Sequence, residues 1–443
     1  MSDVALPVAP TMQSPSTLAR SLVPLVILAL SMAIGFTMMG SFSTVQEGAK
    51  AEMGLSDTVL SLIQGVSAAV PLVLFSIPIG ILVDRSNRVR LLIGLATIWT
   101  VGTLLTAIAD SVWLLFAARM MAGIGTTGAL TAALSLMADF CAPTQRGKAM
   151  LIVTLGKSLG QGGAFALAGW LFGIFAHGAA PALFDGLAPW RAAHYALAII
   201  SAALILPLLF LREPVRREVA AGLHAPFRTV VAELWSRRAF LVPLFAGQVA
   251  VVMADAAASI WVAPVITRNY GLSPDQFAGW MGALIFATGI GGAILGGIAA
   301  DMGQKSGRRG GLLIGAVIAA TIGIPAALFP MAPNVTLFAV AVGALILCGT
   351  VTGLITSVAL TVLLPNELRG LCIGAFISIA GLIGYGVAPS LVTMVSAMLG
   401  GEHMLGVALA AVGVTVSLFS AGAFFFAMRN APRSATEGLA EPI

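Results

Sequence analysis

Gly80-Ile-Leu-Val-Asp84-Arg85-Ser-Asn87-Arg88-Val-Arg90 joins one long apolar run to another, Leu91 to Ala109. A carboxylate and several arginines are thereby confined to a short connection between two membrane-length segments. A degenerate copy follows as Gly297-Ile-Ala-Ala-Asp301, with Lys305, Arg308 and Arg309 after it. Gly precedes Asp by four residues in both copies, and Asp301 follows Asp84 by 217 residues, about half of the 443. Gly54-Leu55-Ser56 recurs at the same offset as Gly271-Leu272-Ser273. Two landmarks with one offset describe a chain built as two halves of one design.

Composition excludes most alternatives. Hydrophobic residues make up 59% of the chain and charged residues only 9%, against roughly a quarter charged in soluble domains. Mean hydropathy is +1.01. The 50 glycines suit helices that pack closely through small side chains in lipid. The net charge of +5 gives no basic patch for nucleic acid, because the cations are spread through short loops between apolar runs. Cys141, Cys348 and Cys372 have no metal spacing and no disulfide framework. His177, His194, His224 and His403 are scattered and pair with no nucleophile at short range, so neither an enzyme nor a cofactor is expected. No signal peptide is expected before the first apolar run.

Apolar runs of about 20 residues or more read as membrane-spanning helices. Twelve are expected: 21–46, 57–83, 90–110, 112–139, 147–176, 190–211, 239–267, 275–300, 310–330, 334–364, 369–399 and 403–428. The fold class is therefore an all-α membrane protein of two pseudo-symmetric six-helix halves, 21–211 and 239–428. A tail, 1–20, precedes them, a polar connection, 212–238, joins them, and a tail, 429–443, follows. Thr229 to Trp235 in the connection reads either as an amphipathic piece on the membrane surface or as solvated linker. Of the 23 Lys and Arg, 18 fall on the side of the termini, which the positive-inside rule makes cytoplasmic. Lys50, Arg191 and Arg268 remain on the opposite side.

Two six-helix halves, a long central connection and the opening stretch resemble the major facilitator superfamily. So do Arg119-Met-Met-Ala-Gly123-Ile-Gly125 in helix 4, Pro143-Thr-Gln-Arg146-Gly147 after it and Pro365-Asn-Glu-Leu-Arg369-Gly370 in the second half. Within that superfamily Asn87, Trp190-Arg191, Arg212-Glu213-Pro214 and Trp261-Val-Ala-Pro264 are similar to the spinster-like group and its bacterial relatives. That group tends to carry Glu after the Gly-x-Gly of helix 4, where this chain has Thr126, and a charged pair in helix 1, where Gly35 to Val45 carries none. The resemblance implies a central cavity lined by helices 4, 5 and 7.

A charge inside the membrane costs about 2.5–3.5 kcal/mol on insertion scales, so each asks for a reason. Lys157 is expected ~15 Å into helix 5 and Arg119 ~10 Å into helix 4 from the outer face, at 1.5 Å per residue; Asp255 is expected mid-way along helix 7. The functional reading has Arg119 and Lys157 attracting an anionic or polar solute, with Asp255 pairing to one of them until solute or a proton displaces it. The alternative is a permanent ion pair that fixes packing. Gln161 shares a helical face with Lys157, Gln248 with Asp255, and Tyr385 lies between Gly384 and Gly386 in helix 11. Each of these is a candidate contact or an ordinary interhelical hydrogen bond. Met38 and Met39 are candidates for an adaptable wall.

The loop copies suit gating. With both termini inside, Asp84 lies near the positive end of helix 11, and Gly80 allows close backbone approach. Arg85 or Arg88 can reach Asp139. These contacts are expected to form when the cytoplasmic sides of the halves close, with Gly297 and Asp301 repeating the device at helix 5. Retained arginines alone would explain the basic residues equally. The expectation is a monomeric secondary transporter of a small solute in the plasma membrane, coupled to protons. A ligand sensor of the same fold and a lysolipid or drug exporter are the alternatives.

Overall fold

The computed structural model describes residues 18–178, 184–216, 235–364 and 366–432. Most of both tails and residues 229–234 of the amphipathic piece lie outside the described residues. Among the described residues, twelve helices are long and apolar enough to span a membrane, as expected. In the first half they are α1 (Leu18–Met53), α2 (Asp57–Arg85), α3 (Arg88–Ile108), α4 (Val112–Phe140), α5 (Arg146–Ala176) and α6 (Pro189–Phe210). In the second half they are α7 (Arg238–Tyr270), α8 (Pro274–Lys305), α9 (Gly311–Met331), α10 (Val335–Leu363), α11 (Asn366–Met398) and α12 (Leu405–Arg429).

The largest departure from the expected bounds is α1, which continues to Met53 rather than stopping at 46. Its last turns carry Glu47, Lys50 and Glu52, so apolarity ended before the helix did. The repeated Gly-Leu-Ser works as helix punctuation. Gly54 and Gly271 adopt φ of 64° and 68°, the left-handed region that glycine enters without a Cβ clash. Ser56 then caps α2 by accepting from the Val59 N–H at 3.3 Å. Ser273 begins α8 in a capping box with Gln276, its N–H donating to Gln276 Oε1 at 3.0 Å.

Helix α2 is irregular: α-helical turns alternate with two π-helical segments, Leu62–Val66 and Pro71–Phe75. Pro71 brings no N–H to the ladder, one recognised cause of such a disturbance.

Each half packs internally, α1 on α5 and α3 on α4 in the first, α7 on α12 and α8 on α10 in the second. The halves meet chiefly along α5–α8 and α2–α11. At the α5–α8 seam Gly162 and Gly282 stand backbone to backbone; a Cβ on either would strike the carbonyl oxygen of the other. Helix α11 packs along α2 from Asp57 to Phe75, while Ser76–Arg85 lies outside its main contacts. The halves therefore close at the end opposite the termini, the far end, and part towards the end that carries them, the basic end.

Candidate functional site

A cavity of about 290 Å³ lies between the halves. Phe36 and Met39 of α1, Gln64 of α2, Arg119 of α4 and Gln161 of α5 line it from one side. Asp255 of α7 and Tyr385 of α11 line it from the other. Apolar walls with a few polar groups are the usual makeup of a small-molecule site.

Arg119 is nearly buried, 5% exposed. It reaches helix α1, donating from Nη1 to Met38 O at 3.2 Å and from Nη2 to Met39 O, and lies 5.6 Å from the Phe42 ring centre. Two of the five guanidinium N–H donors are used in this way. Lys157 is off the cavity wall; its Nζ lies 5.4 Å from the ring of Phe36, which is on it. Thr126, where the spinster-like group tends to carry Glu, donates to Gly35 O at 2.9 Å and is fully buried.

Asp255 departs from expectation. It pairs with neither Arg119 nor Lys157, and its Oδ1 is buried with no hydrogen-bond partner. The reason is local: residue 349 of α10 is glycine, and the carboxylate occupies the space a Cβ there would need. Arg119, meanwhile, is drawn to the α1 carbonyls. Gln248 also differs. It is not on the cavity wall but buried between helices, accepting from Thr356 Oγ1 at 3.0 Å, which is the ordinary interhelical bond.

The opening stretch is anchored at several points. Asn87 caps α3, its Oδ1 accepting from Arg90 N–H at 2.8 Å. Arg88 is 2% exposed and pairs with Asp139 at 2.5 Å and with Glu213 at 2.7 Å. The expectation that Arg88 meets Asp139 only on closure is corrected, because both partners belong to the first half and pair while the basic end is open. Arg216 donates to the carbonyls of Val83 at 2.7 Å and Ser86 at 2.9 Å, and to that of Asp84, a cation at the negative end of α2. Arg212-Glu213-Pro214, noted in the sequence only as a family likeness, belongs to the segment that grips this loop. The side chains of Asp84, Arg85 and Asp301 are exposed. A Cβ at Gly80 would meet nothing within 4 Å, and one at Gly297 only Leu354 at 3.8 Å. Among the described residues nothing approaches Gly80 closely.

What the sequence did not reveal is the far-end closure. Arg268 of α7 bridges the halves to Glu47 and to Asp57, each at 2.7 Å. Lys50 pairs with Asp57 at 2.5 Å and, across the halves, with Glu402. The Asp57 N–H donates to Glu402 Oε1 at 2.7 Å. Beneath this cluster Gln46 donates to Ile260 O at 2.5 Å, accepts from Gln64, and Gln64 accepts from Ser43 at 2.5 Å. A signal was present: Lys50 and Arg268 are cations on the side that the orientation argument leaves nearly bare. Each also lies just before a copy of Gly-Leu-Ser, with Asp57 or Asp275 just after it.

The family model described as Major Facilitator Superfamily matches residues 25–389. A probable 4-methylmuconolactone transporter of Cupriavidus pinatubonensis is 28% identical over 347 residues, 76% of this chain and 73% of that protein. The inner membrane transport protein YajR of Escherichia coli is 32% identical over 124 residues, 28% of this chain and 26% of its own. The crystal structure of a bacterial homolog of the human lysosomal transporter spinster, inward-facing and unoccupied, superposes with a TM-score of 0.79 at 23% identity. That likeness, which covers 94% of this chain and 98% of the other, is one of fold. The protein is a multi-pass membrane transporter, and the chain belongs to the Major Facilitator Superfamily.

Proposed function

We propose that this transporter moves a small organic solute, anionic or amphipathic, by alternating access with protons as the coupling ion, and that the conformation described is its inward-open state. With the basic end cytoplasmic, as the distribution of Lys and Arg argues, the open end of the cavity faces the cytoplasm. The observation that carries the reading is the ion-pair closure between the halves at the far end, set against the parted α2 and α11 at the basic end. A cavity closed on one side by bonds that can be broken is what a rocking transporter needs.

The walls support this solute class. Arg119 keeps N–H donors beyond those given to α1, and Phe36, Met39 and Tyr385 supply apolar contact. The relative named for 4-methylmuconolactone supports a compact organic molecule. Asp255 supports proton coupling because a carboxylate with an unpartnered oxygen beside the cavity is poised to take a proton. Asp84, exposed on a loop already held by Glu213 and Arg216, is the proposed latch for the opposite closure, docking at the start of α11.

The test is uptake into proteoliposomes with and without an inward pH gradient. Accumulation should follow the gradient in the wild type and lose that dependence in Asp255→Asn; gradient-independent uptake unchanged by the substitution overturns the coupling role. A thermal-shift screen of organic acids, sugars, lysolipids and drugs identifies the solute class. An anion-specific shift that persists in Arg119→Gln refutes the assignment of Arg119.

A further inference from the structure

Behind Asp255 lies a second space of about 20 Å³, walled by α7, α9, α10 and α12. A space of roughly 10–15 Å³ suffices for one water-sized guest, so this one takes a single small guest. Among the described residues Asp255 alone belongs to both this wall and that of the central cavity. Its carboxylate is turned towards Gly349, which lines the rear space and not the central one.

The chemistry of the rear wall is one-sided. Its other side-chain oxygens are the hydroxyls of Thr352, Ser417 and Ser420, set among Val251, Ala254, Ala319, Ala320 and Leu345. Thr352 donates to Gly349 O at 2.9 Å and Ser420 to Gly247 O at 2.9 Å, which leaves lone pairs on both. No Lys, Arg, His, Asn or Gln lines the space. The buried Oδ1 of Asp255 finds no donor, while the residue as a whole is partly exposed on the central cavity, and a carboxylate oxygen buried without a counter-charge is unfavourable. Hydroxyl oxygens that share a wall with a bare carboxylate oxygen are the ligand type that a hard cation prefers.

We propose that the rear space is a seat for a monovalent cation, Na⁺ by its size, held by the Asp255 carboxylate and the hydroxyl oxygens of Thr352, Ser417 and Ser420. The inference rests on Asp255 as the coupling carboxylate and adds that Na⁺ and a proton compete for it. The titratable groups beside Asp255 are Cys348 on α10 and Tyr385 on α11, and neither brings a positive charge. Gly349 is a positioning residue: a side chain there would push the carboxylate out of its seat towards the central cavity.

The test uses the purified full-length protein in detergent. Thermal unfolding is followed in NaCl, KCl and choline chloride at matched ionic strength, and binding of radioactive Na⁺ is measured directly at two pH values. Na⁺ should raise the melting temperature more than K⁺ or choline, and acid should weaken Na⁺ binding. Ser417→Ala and Thr352→Val should each weaken Na⁺ binding about tenfold or more, and Asp255→Asn should abolish it. The melting temperature of each variant in choline reports whether it folds, and the pair of hydroxyl variants keeps the test open if one does not. Equal shifts with all three salts, or Na⁺ binding that survives Asp255→Asn, overturn the seat. Proton-driven uptake with no Na⁺ binding overturns the seat and leaves the coupling role standing. Na⁺ binding with uptake indifferent to pH does the reverse.

Discussion

The two ends of the transporter handle charge in opposite ways. At the far end ion pairs cross between the halves, and every member but Asp57 stays partly solvated: Lys50 side chain 18% exposed, Arg268 23%, Glu402 46%, against 3% for Asp57. At the basic end Arg88 pairs with Asp139 and Glu213 without crossing to the second half, and its side chain is only 2% exposed. A pair broken in every cycle must return its charges to water, which is affordable only where water already reaches them. A pair that is never broken can be sunk into the protein. Burial of the cation thus separates gate from anchor at sites that look equally charged in the sequence.

The largest expected effect tests the anchor. Arg88→Ala leaves Asp139 without the guanidinium that meets it at 2.5 Å and should cost about 3 kcal/mol of stability. Unfolding measurements should show the loss, and the balance between inward- and outward-open states should not move. Arg268→Ala should do the opposite. It removes the bridge to Glu47 and Asp57 and should shift that balance outward by about 2 kcal/mol, roughly thirtyfold. Spin labels at the exposed far-end positions 51 and 399 would read this as a lengthened distance; an unchanged distribution would show that the cluster does not hold the state. Glu402→Gln, at a half-exposed site, should move the balance by only about 0.5 kcal/mol, and less in high salt. Asp84→Asn should leave the inward-open state and solute affinity unchanged while slowing turnover, as counterflow exchange would report. A marked loss of affinity would refute the latch.

Much of this was legible before any coordinates. Helix number follows from apolar length, and the halves from one repeated offset. The cavity-side placing of Arg119, Gln161, Asp255 and Tyr385 follows from the reluctance of polar side chains to face lipid. Partners were harder to read. Asp255 looked destined for a cation, but the glycine at 349 decided its direction, ninety-four residues away in the chain. Gln248 shares the face argument with Asp255 and is nevertheless spent on Thr356. Glu213, close to the midpoint, gave no sign that it would reach Arg88. Periodicity along one helix names a face and is silent about what the neighbouring helix brings to it. The far-end cluster was legible in principle, as two cations on the wrong side, but orientation statistics treat exceptions as noise.

Helix α2 touches both ends, with Asp57 in the far-end cluster and Asp84 in the basic loop. Between them stand its two π-helical segments. Returning a π segment to α geometry removes one residue from a turn, and one residue is about 100° of rotation. The face shown at one end is therefore not locked in phase with the face shown at the other. A change of Pro71–Phe75 from π to α geometry with no residue lost would turn Asp84 about the helix axis relative to Asp57. Such a helix lets one gate turn relative to the other without either being rebuilt.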